Sequence, residues 1–264
     1  MDTKMIFFDI DGTLLPEGEK EIPESTVTAL RMAKEAGHLI FINTGRTYFN
    51  VDDNIRALGF DGYVCGCGTY IYYNEQCLLA NTIPHDRCIE IIEMMRKCNI
   101  PGFFEENTHV YFDRTSPAVC AFIAEAQRVF GIKAFELPDP QSDTSFTFDK
   151  ILVKTLPDSD WDTFTTSIKD DLECIDRGDS TWEIIQKGYS KGTGIQFLCD
   201  YFDIPLQNCY AVGDSTNDLA MLQYVPNSIA MGNSMPEIIP CCTYVTTDIK
   251  DNGIYNALKH FNII

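Results

Sequence analysis

The stretch Met5-Ile6-Phe7-Phe8-Asp9-Ile10-Asp11-Gly12-Thr13-Leu14 decides the fold. Its four leading apolar residues show no alternation, the pattern of a strand buried on both faces, as in a parallel sheet. The run then breaks on two acids two positions apart, with a glycine behind them that lets the chain turn sharply. In open α/β sheets, ligands bind beyond the carboxyl ends of the strands. Two carboxylates gathered there raise one another's pKa unless a cation or a shared proton lies between them. An ordinary acidic loop would contain the same residues, and Asp-x-Asp alone does not separate the two readings.

Working outward, similar apolar runs occur at 39–43, 63–65, 209–212 and 244–245, with amphipathic stretches at 24–36, 191–203, 215–223 and 249–261. The alternation predicts an α/β protein with a doubly wound, mainly parallel sheet, a Rossmann-like core. Residues 82–189 read differently: helix 84–98, strands 101–104 and 109–112, helix 116–130, strand 147–156, helix 158–172, and strands near 173–177 and 181–186. Helix, strand, strand appears at both ends of this segment. That echo predicts an inserted α/β sandwich whose helices cover one face of a mainly antiparallel sheet. The expected organisation is a core of 1–81 plus 190–264 and an inserted cap of 82–189. The hinges are expected at 81–84 and 188–190, with a loop at 137–143.

The chain has 264 residues, 45% of them hydrophobic and 12% aromatic, enough to bury a sizeable core and too apolar for a disordered chain. Its formal charge is −19, and the acidity is spread: 20 acidic against 11 basic residues over 82–189 give −9, leaving −10 for the rest. Such a surface repels nucleic-acid phosphate and anionic lipid, so neither nucleic acid nor membrane is an expected partner. Eleven cysteines, an odd number with no CxxC spacing, read as reduced and mostly buried thiols. Cys65 and Cys67 form only a CxC, and His38, His85, His109 and His260 have no ligand spacing. No stretch has the length of a signal peptide's apolar region or of a membrane span, so a cytoplasmic protein is expected.

Three further clusters follow buried runs or open helices. Asn43-Thr44-Gly45-Arg46 brings a hydroxyl, a flexible backbone and a guanidinium to a strand end, an anion cradle; helix capping by Thr44 explains it equally. Ser190-Lys191-Gly192-Thr193-Gly194 starts a helix with two glycines where propensity favours Ala or Glu, although a lone lysine is ordinarily solvated. Val212-Gly213-Asp214-Ser215-Thr216-Asn217-Asp218 places a second acid one helical turn past the first. Capping by Asp214 or Ser215 accounts for part of it and leaves Asn217 and Asp218 unexplained.

Taken together, DIDGTL, the Thr44-Gly45 turn, Lys191 at a helix start and GDSTNDLAML resemble, in order and spacing, the four motifs of the haloacid dehalogenase superfamily of phosphotransferases. The insertion between the second and third motifs, with SKGTG at its exit, looks like the Cof-like branch, and the likeness spans the whole chain. It implies a Mg²⁺-dependent phosphatase acting on a small-molecule phosphate ester. By that resemblance Asp9 is the nucleophile and becomes an aspartyl phosphate. Mg²⁺ would sit on Asp9, Asp214 and the backbone carbonyl of Asp11. The Asp11 side chain would serve as general acid and base. Thr44, Gly45 and Lys191 would hold the transferring oxygens, Asn217 would fix the phosphate, and Asp218 would orient Lys191 or a metal-bound water. Arg46 would either bind substrate through a second anion or simply pair with an acid nearby.

The inserted domain would act as a lid that reads the leaving group. Glu105, Glu106 and Asn107 either read a polyol or form an exposed hairpin tip. One departure stands out: Cys67 occupies the place where that branch carries Asn, which predicts a lost polar contact to substrate or lid. A phosphomutase and a non-catalytic sensor of phosphorylated ligands are the alternatives. A nucleotide-dependent oxidoreductase is disfavoured because Gly12 stands without the glycine fingerprint on the first turn.

Overall fold

The computed structural model describes residues 2–264 apart from 17, 20, 115–119, 125–127, 129–133, 138 and 140–144. In chain order the strands are β1 (Met5–Phe8), β2 (Leu39–Asn43), β3 (Gly62–Cys65), β4 (Tyr70–Tyr73), β5 (Gln76–Ala80), β6 (Gly102–Glu105) and β7 (Val110–Phe112). They continue as β8 (Phe135–Glu136), β9 (Lys150–Lys154), β10 (Leu172–Asp176), β11 (Thr181–Gln186), β12 (Cys209–Gly213), β13 (Asn227–Ala230) and β14 (Tyr244–Val245). Contacts divide the chain into two units: Met1–Gly45, Val51–Leu79 and Tyr189–Ile264 form the first, and Arg46–Asn50 with Ala80–Gly188 the second. The first break falls between Leu79 and Ala80 rather than after 81, and Arg46–Asn50 groups with the second unit.

Among the described residues, the first unit holds a sheet of order β14-β13-β12-β1-β2-β3-β4-β5. Six strands from β14 to β3 run parallel, with Phe8 opposite Ile42 on one side and Val212 on the other. From β1 the chain builds outward through β2 and β3, then returns to the other flank at β12. That reversal is a topological switch point, where the crevice beyond the strand ends opens. Met5 and Phe7 on β1 join Phe41, Val64, Cys209 and Ala211 in a core closed by Ile195, Leu198, Met221 and Leu222. Ile6 and Phe8 point to the opposite face and are equally buried. Each such side chain contributes about 1.5–3 kcal/mol by leaving water.

The second unit carries a sheet of order β10-β11-β9-β6-β7-β8, antiparallel except for β7 beside β8. The helices His85–Lys97 and Trp161–Ile168 supply Cys88, Ile91, Ile92, Met95, Phe164 and Ile168 to one core with Phe104, Ile151, Val153 and Ile184. Phe103, next to Phe104 on β6, points the other way and joins Val110, Phe112 and Ile123, against which Phe49 and Phe122 pack. The two helices thus cover one face of the sheet, and a smaller apolar cluster lies on the other. Most of the expected loop 137–143, and part of the expected helix 116–130, lie outside the described residues.

The sequence reading omitted β4, β5, β8 and β13. β13 begins on Asn227-Ser228 and β8 spans two residues, so neither presents an apolar run. Two expected helices are broken. The 215–223 stretch divides into a 3₁₀ turn Thr216–Asp218 and a short helix Leu219–Leu222, because the Asp218 carboxylate takes the Asp214 and Ser215 N–H groups. The 249–261 stretch is interrupted by Asn252 in the left-handed region, φ 63°. All eleven cysteines are free thiols: five buried, four half-buried and Cys77 and Cys120 exposed, so fewer than expected are fully buried.

Candidate active site

Asp9 directly follows β1 and Asp214 directly follows β12, side by side at the switch point because the two strands are hydrogen-bonded neighbours. The turn between Asp9 and Leu15 is closed by Gly12 N–H donating to the Leu15 carbonyl (2.9 Å), with Gly12 at φ +80°. A Cβ on Gly12 would stand 2.3 Å from Asp214 Oδ2, so only glycine lets the two loops meet. Thr13, fully buried, donates from Oγ1 to Asp214 Oδ1 at 2.8 Å. Nothing in the sequence pattern singled out Thr13 as a group that holds Asp214.

Lys191 opens the helix Lys191–Phe202, whose start is fixed by a capping box: Ser190 Oγ accepts from Thr193 N, and Thr193 Oγ1 accepts from Ser190 N. The side chain of Lys191 is 1% exposed, and its Nζ donates to Asp9 Oδ1 and Asp218 Oδ1 at 2.6 Å each. Burial opposes its charge, but Asp218 and Asp9 outweigh that, so its pKa is raised. Asn43 Nδ2 donates to the Lys191 carbonyl at 2.9 Å, tying the end of β2 to the same helix start.

Asp9, Asp214 and Asp218 are all buried, with one ligand oxygen of each within 4.8 Å of the others. Two of these carboxylates, Asp9 and Asp218, share the Lys191 ammonium. Burial first, then Asp218, pushes the Asp9 pKa up to about 8; Lys191 opposes, while Asp11 and Asp214 add to the rise. This all-oxygen set, short of positive charge, fits a hard divalent cation such as Mg²⁺. Asp218 Oδ2 already accepts from the Asp214 and Ser215 N–H groups (2.9 and 3.1 Å) and its Oδ1 from Lys191.

The remaining predicted residues are placed as follows. Asp11 is exposed, in the turn that follows Asp9. Thr44 and Gly45 are buried directly after β2; Thr44 N–H donates to the Val64 carbonyl and its carbonyl accepts from Cys67 N–H. Asn217 is half-buried, and its Oδ1 accepts from Ser215 Oγ at 2.5 Å. Arg46, grouped with the second unit, donates from Nη1 to the Asn50 carbonyl at 3.0 Å. In that unit Glu105 is buried against Lys150, which also pairs with Glu183; burial raises the Glu105 pKa. Glu106 accepts from Thr108 Oγ1 at the hairpin tip.

The model of the haloacid dehalogenase-like hydrolases matches residues 6–258. The chain belongs to this family. The match takes in every segment of the site, from Asp9 to Asp218, and the chain is a Cof-like phosphatase of the haloacid dehalogenase superfamily. It is 28% identical over 286 residues to the pyridoxal phosphate phosphatase YbhA of Escherichia coli K12, covering 98% of this chain and all of that one. It is 25% identical to the 5-amino-6-(5-phospho-D-ribitylamino)uracil phosphatase YitU of Bacillus subtilis, covering 99% of each. Among solved structures it resembles the haloacid dehalogenase subclass IIB sugar phosphatase BT4131, with a TM-score of 0.82, 27% identity, and 99% and 100% of the two chains covered. No described helix is long and apolar enough to cross a membrane.

Proposed function

We propose that this haloacid dehalogenase-like phosphatase removes phosphate from a small phosphorylated metabolite, a sugar phosphate or similar monoester, through an aspartyl phosphate on Asp9. The observation that carries the reading is the buried convergence of Lys191 on Asp9 and Asp218 beside Asp214, groups drawn from three separate chain segments. Burial of a lysine against two acids is costly unless the site uses the charge.

Asp9 attacks phosphorus in line while Lys191 and the Thr44-Gly45 turn hold the equatorial oxygens as their charge redistributes. Mg²⁺, held by Asp9, Asp214 and the Asp11 carbonyl, would supply the positive charge that keeps Asp9 ionised and offsets the phosphate. Asp11, exposed beside the nucleophile, donates a proton to the departing alkoxide and then takes one from the water that cleaves the acyl phosphate. Asn217 contacts the phosphate, and Asp218 fixes Lys191, through the 2.6 Å bond, rather than taking part as a metal ligand. In this reading Arg46 meets a second anion of the substrate, the second unit serves as the lid, and the protein works in the cytoplasm.

A panel of sugar phosphates, nucleoside monophosphates and cofactor phosphates, assayed with Mg²⁺ and again with chelator, tests the reading. Free phosphate is the expected product, and an isomerised sugar phosphate would indicate a mutase instead. Asp9→Asn is expected to lower kcat by at least about 10³-fold while the fold persists, because the nucleophile is lost. Undiminished turnover by that variant sinks the assignment of Asp9.

A further inference from the structure

Residues 231–235, directly after β13, belong to none of the motifs discussed above, yet they bond to both acid-bearing loops. Met231 N–H donates to the Gly213 carbonyl (3.0 Å), and Met235 N–H to the Asp214 carbonyl (2.9 Å). Gly232 N–H donates to the Thr247 carbonyl (3.0 Å), and a Cβ on Gly232 would lie 2.4 Å from the Asp248 nitrogen, so the loop presses against the segment after β14. From this braced backbone Asn233 spreads its amide in two directions. Nδ2 donates to the Gly12 carbonyl at 2.7 Å, and Oδ1 accepts from Ile249 N–H at 3.0 Å.

The Gly12 carbonyl belongs to the peptide that joins Asp11's side of the turn to Thr13, the residue that donates to Asp214 Oδ1. Gly12 has no side chain to limit its rotation, so the orientation of this peptide depends on its hydrogen bonds. We propose that Asn233 is a positioning residue for the catalytic turn. Held at Oδ1 by Ile249, it uses Nδ2 to lock the Gly12–Thr13 peptide, and so sets where Asp11 points and how Thr13 holds Asp214. It acts through the turn and touches neither substrate nor metal. The inference rests on the phosphatase reading for the meaning of Asp11 and Asp214.

Two variants separate the arms of the amide. Asn233→Asp keeps an acceptor for Ile249 N–H and removes the donor to Gly12; Asn233→Leu removes both, with Asn233→Ser in its place should it fail to fold. With p-nitrophenyl phosphate and Mg²⁺, both variants are expected to lose about 10- to 100-fold in kcat, the range for partners that orient ligands from outside, with KM within about 2-fold. Hydrogen–deuterium exchange is expected to quicken over residues 10–15 in both variants, and over 247–253 only where the acceptor is gone. If Asn233→Asp keeps the wild-type kcat and wild-type exchange over 10–15, Asn233 merely braces the segment after β14 and the proposal falls. Absence of hydrolysis by the wild-type protein would instead refute the phosphatase reading, while the exchange pattern still decides whether Asn233 holds the turn.

Discussion

Lys191 is the residue on which the charges of the site balance. Removing it takes from Asp9 and Asp218 the ammonium that bonds both, a loss of about 3–5 kcal/mol for a broken buried pair. Lys191→Met is therefore expected to lower unfolding free energy by that amount at about pH 9 in denaturant titrations without metal. The loss should shrink as pH falls through about 8, where Asp9 takes up a proton. Cys67 poses a different question. Its φ is 56°, a left-handed conformation that Asn tolerates well and Cys poorly. The Asn expected at this place is thus explained by backbone shape as well as by any contact to substrate. Cys67→Asn is expected to raise the melting temperature by about 2 °C, from relief of up to about 1 kcal/mol of strain, with kcat unchanged. A lower melting temperature would show that the buried thiol's packing matters more.

At the scale of elements, the two glycines that open the Lys191 helix are packing features. A Cβ on Gly194 would meet Val64 Cγ1 at 2.4 Å, and one on Gly192 the Ala220 carbonyl oxygen at 2.5 Å. Helix propensity gains about 1 kcal/mol on changing Gly to Ala, but overpacking costs about 1–3 kcal/mol. Gly194→Ala is expected to destabilise by about 1 kcal/mol in thermal or denaturant unfolding, and Gly192→Ala by more, because a backbone oxygen yields less than a side chain. Equal stability of Gly192→Ala and the parent would refute the close approach. The helix start was legible as a motif, but what its glycines approach was not until β3 and the helix Leu219–Leu222 were seen against them. Likewise the 215–223 stretch read as one amphipathic helix, since hydrophobic spacing carries no information about a carboxylate that caps its own turn.

For the molecule as a whole, the excess of 39 acidic over 20 basic residues makes acid stability a question of which groups must change charge. His38 is 3% exposed, and its Nδ1 accepts from Lys4 N–H at 3.2 Å, which leaves the proton on Nε2. Burial, then Lys4 and the N-terminal amine, lower its pKa below 6.5. The neutral form is favoured by folding, so this stability is intact above about pH 6.5 and is lost as pH falls through the lower, folded-state value. His38→Gln is expected to flatten the pH dependence of unfolding free energy between pH 7 and 5; an unchanged slope would assign it to other groups.

The sequence by itself determined the α/β class and singled out the residues proposed to carry the chemistry, because buried strands write continuous apolar runs and the four clusters at strand ends and helix starts are informative together where none is alone. Only the tertiary structure decided that Lys191 bridges Asp9 to Asp218, that Thr13 and Asn43 hold the site from behind, and that Arg46–Asn50 groups with the inserted unit. These are contacts between residues as much as 201 positions apart, as for Thr13 and Asp214. Local spacing specifies which side chains reach a strand end; the direction each carboxylate takes is set by donors that arrive only when the chain has closed on itself.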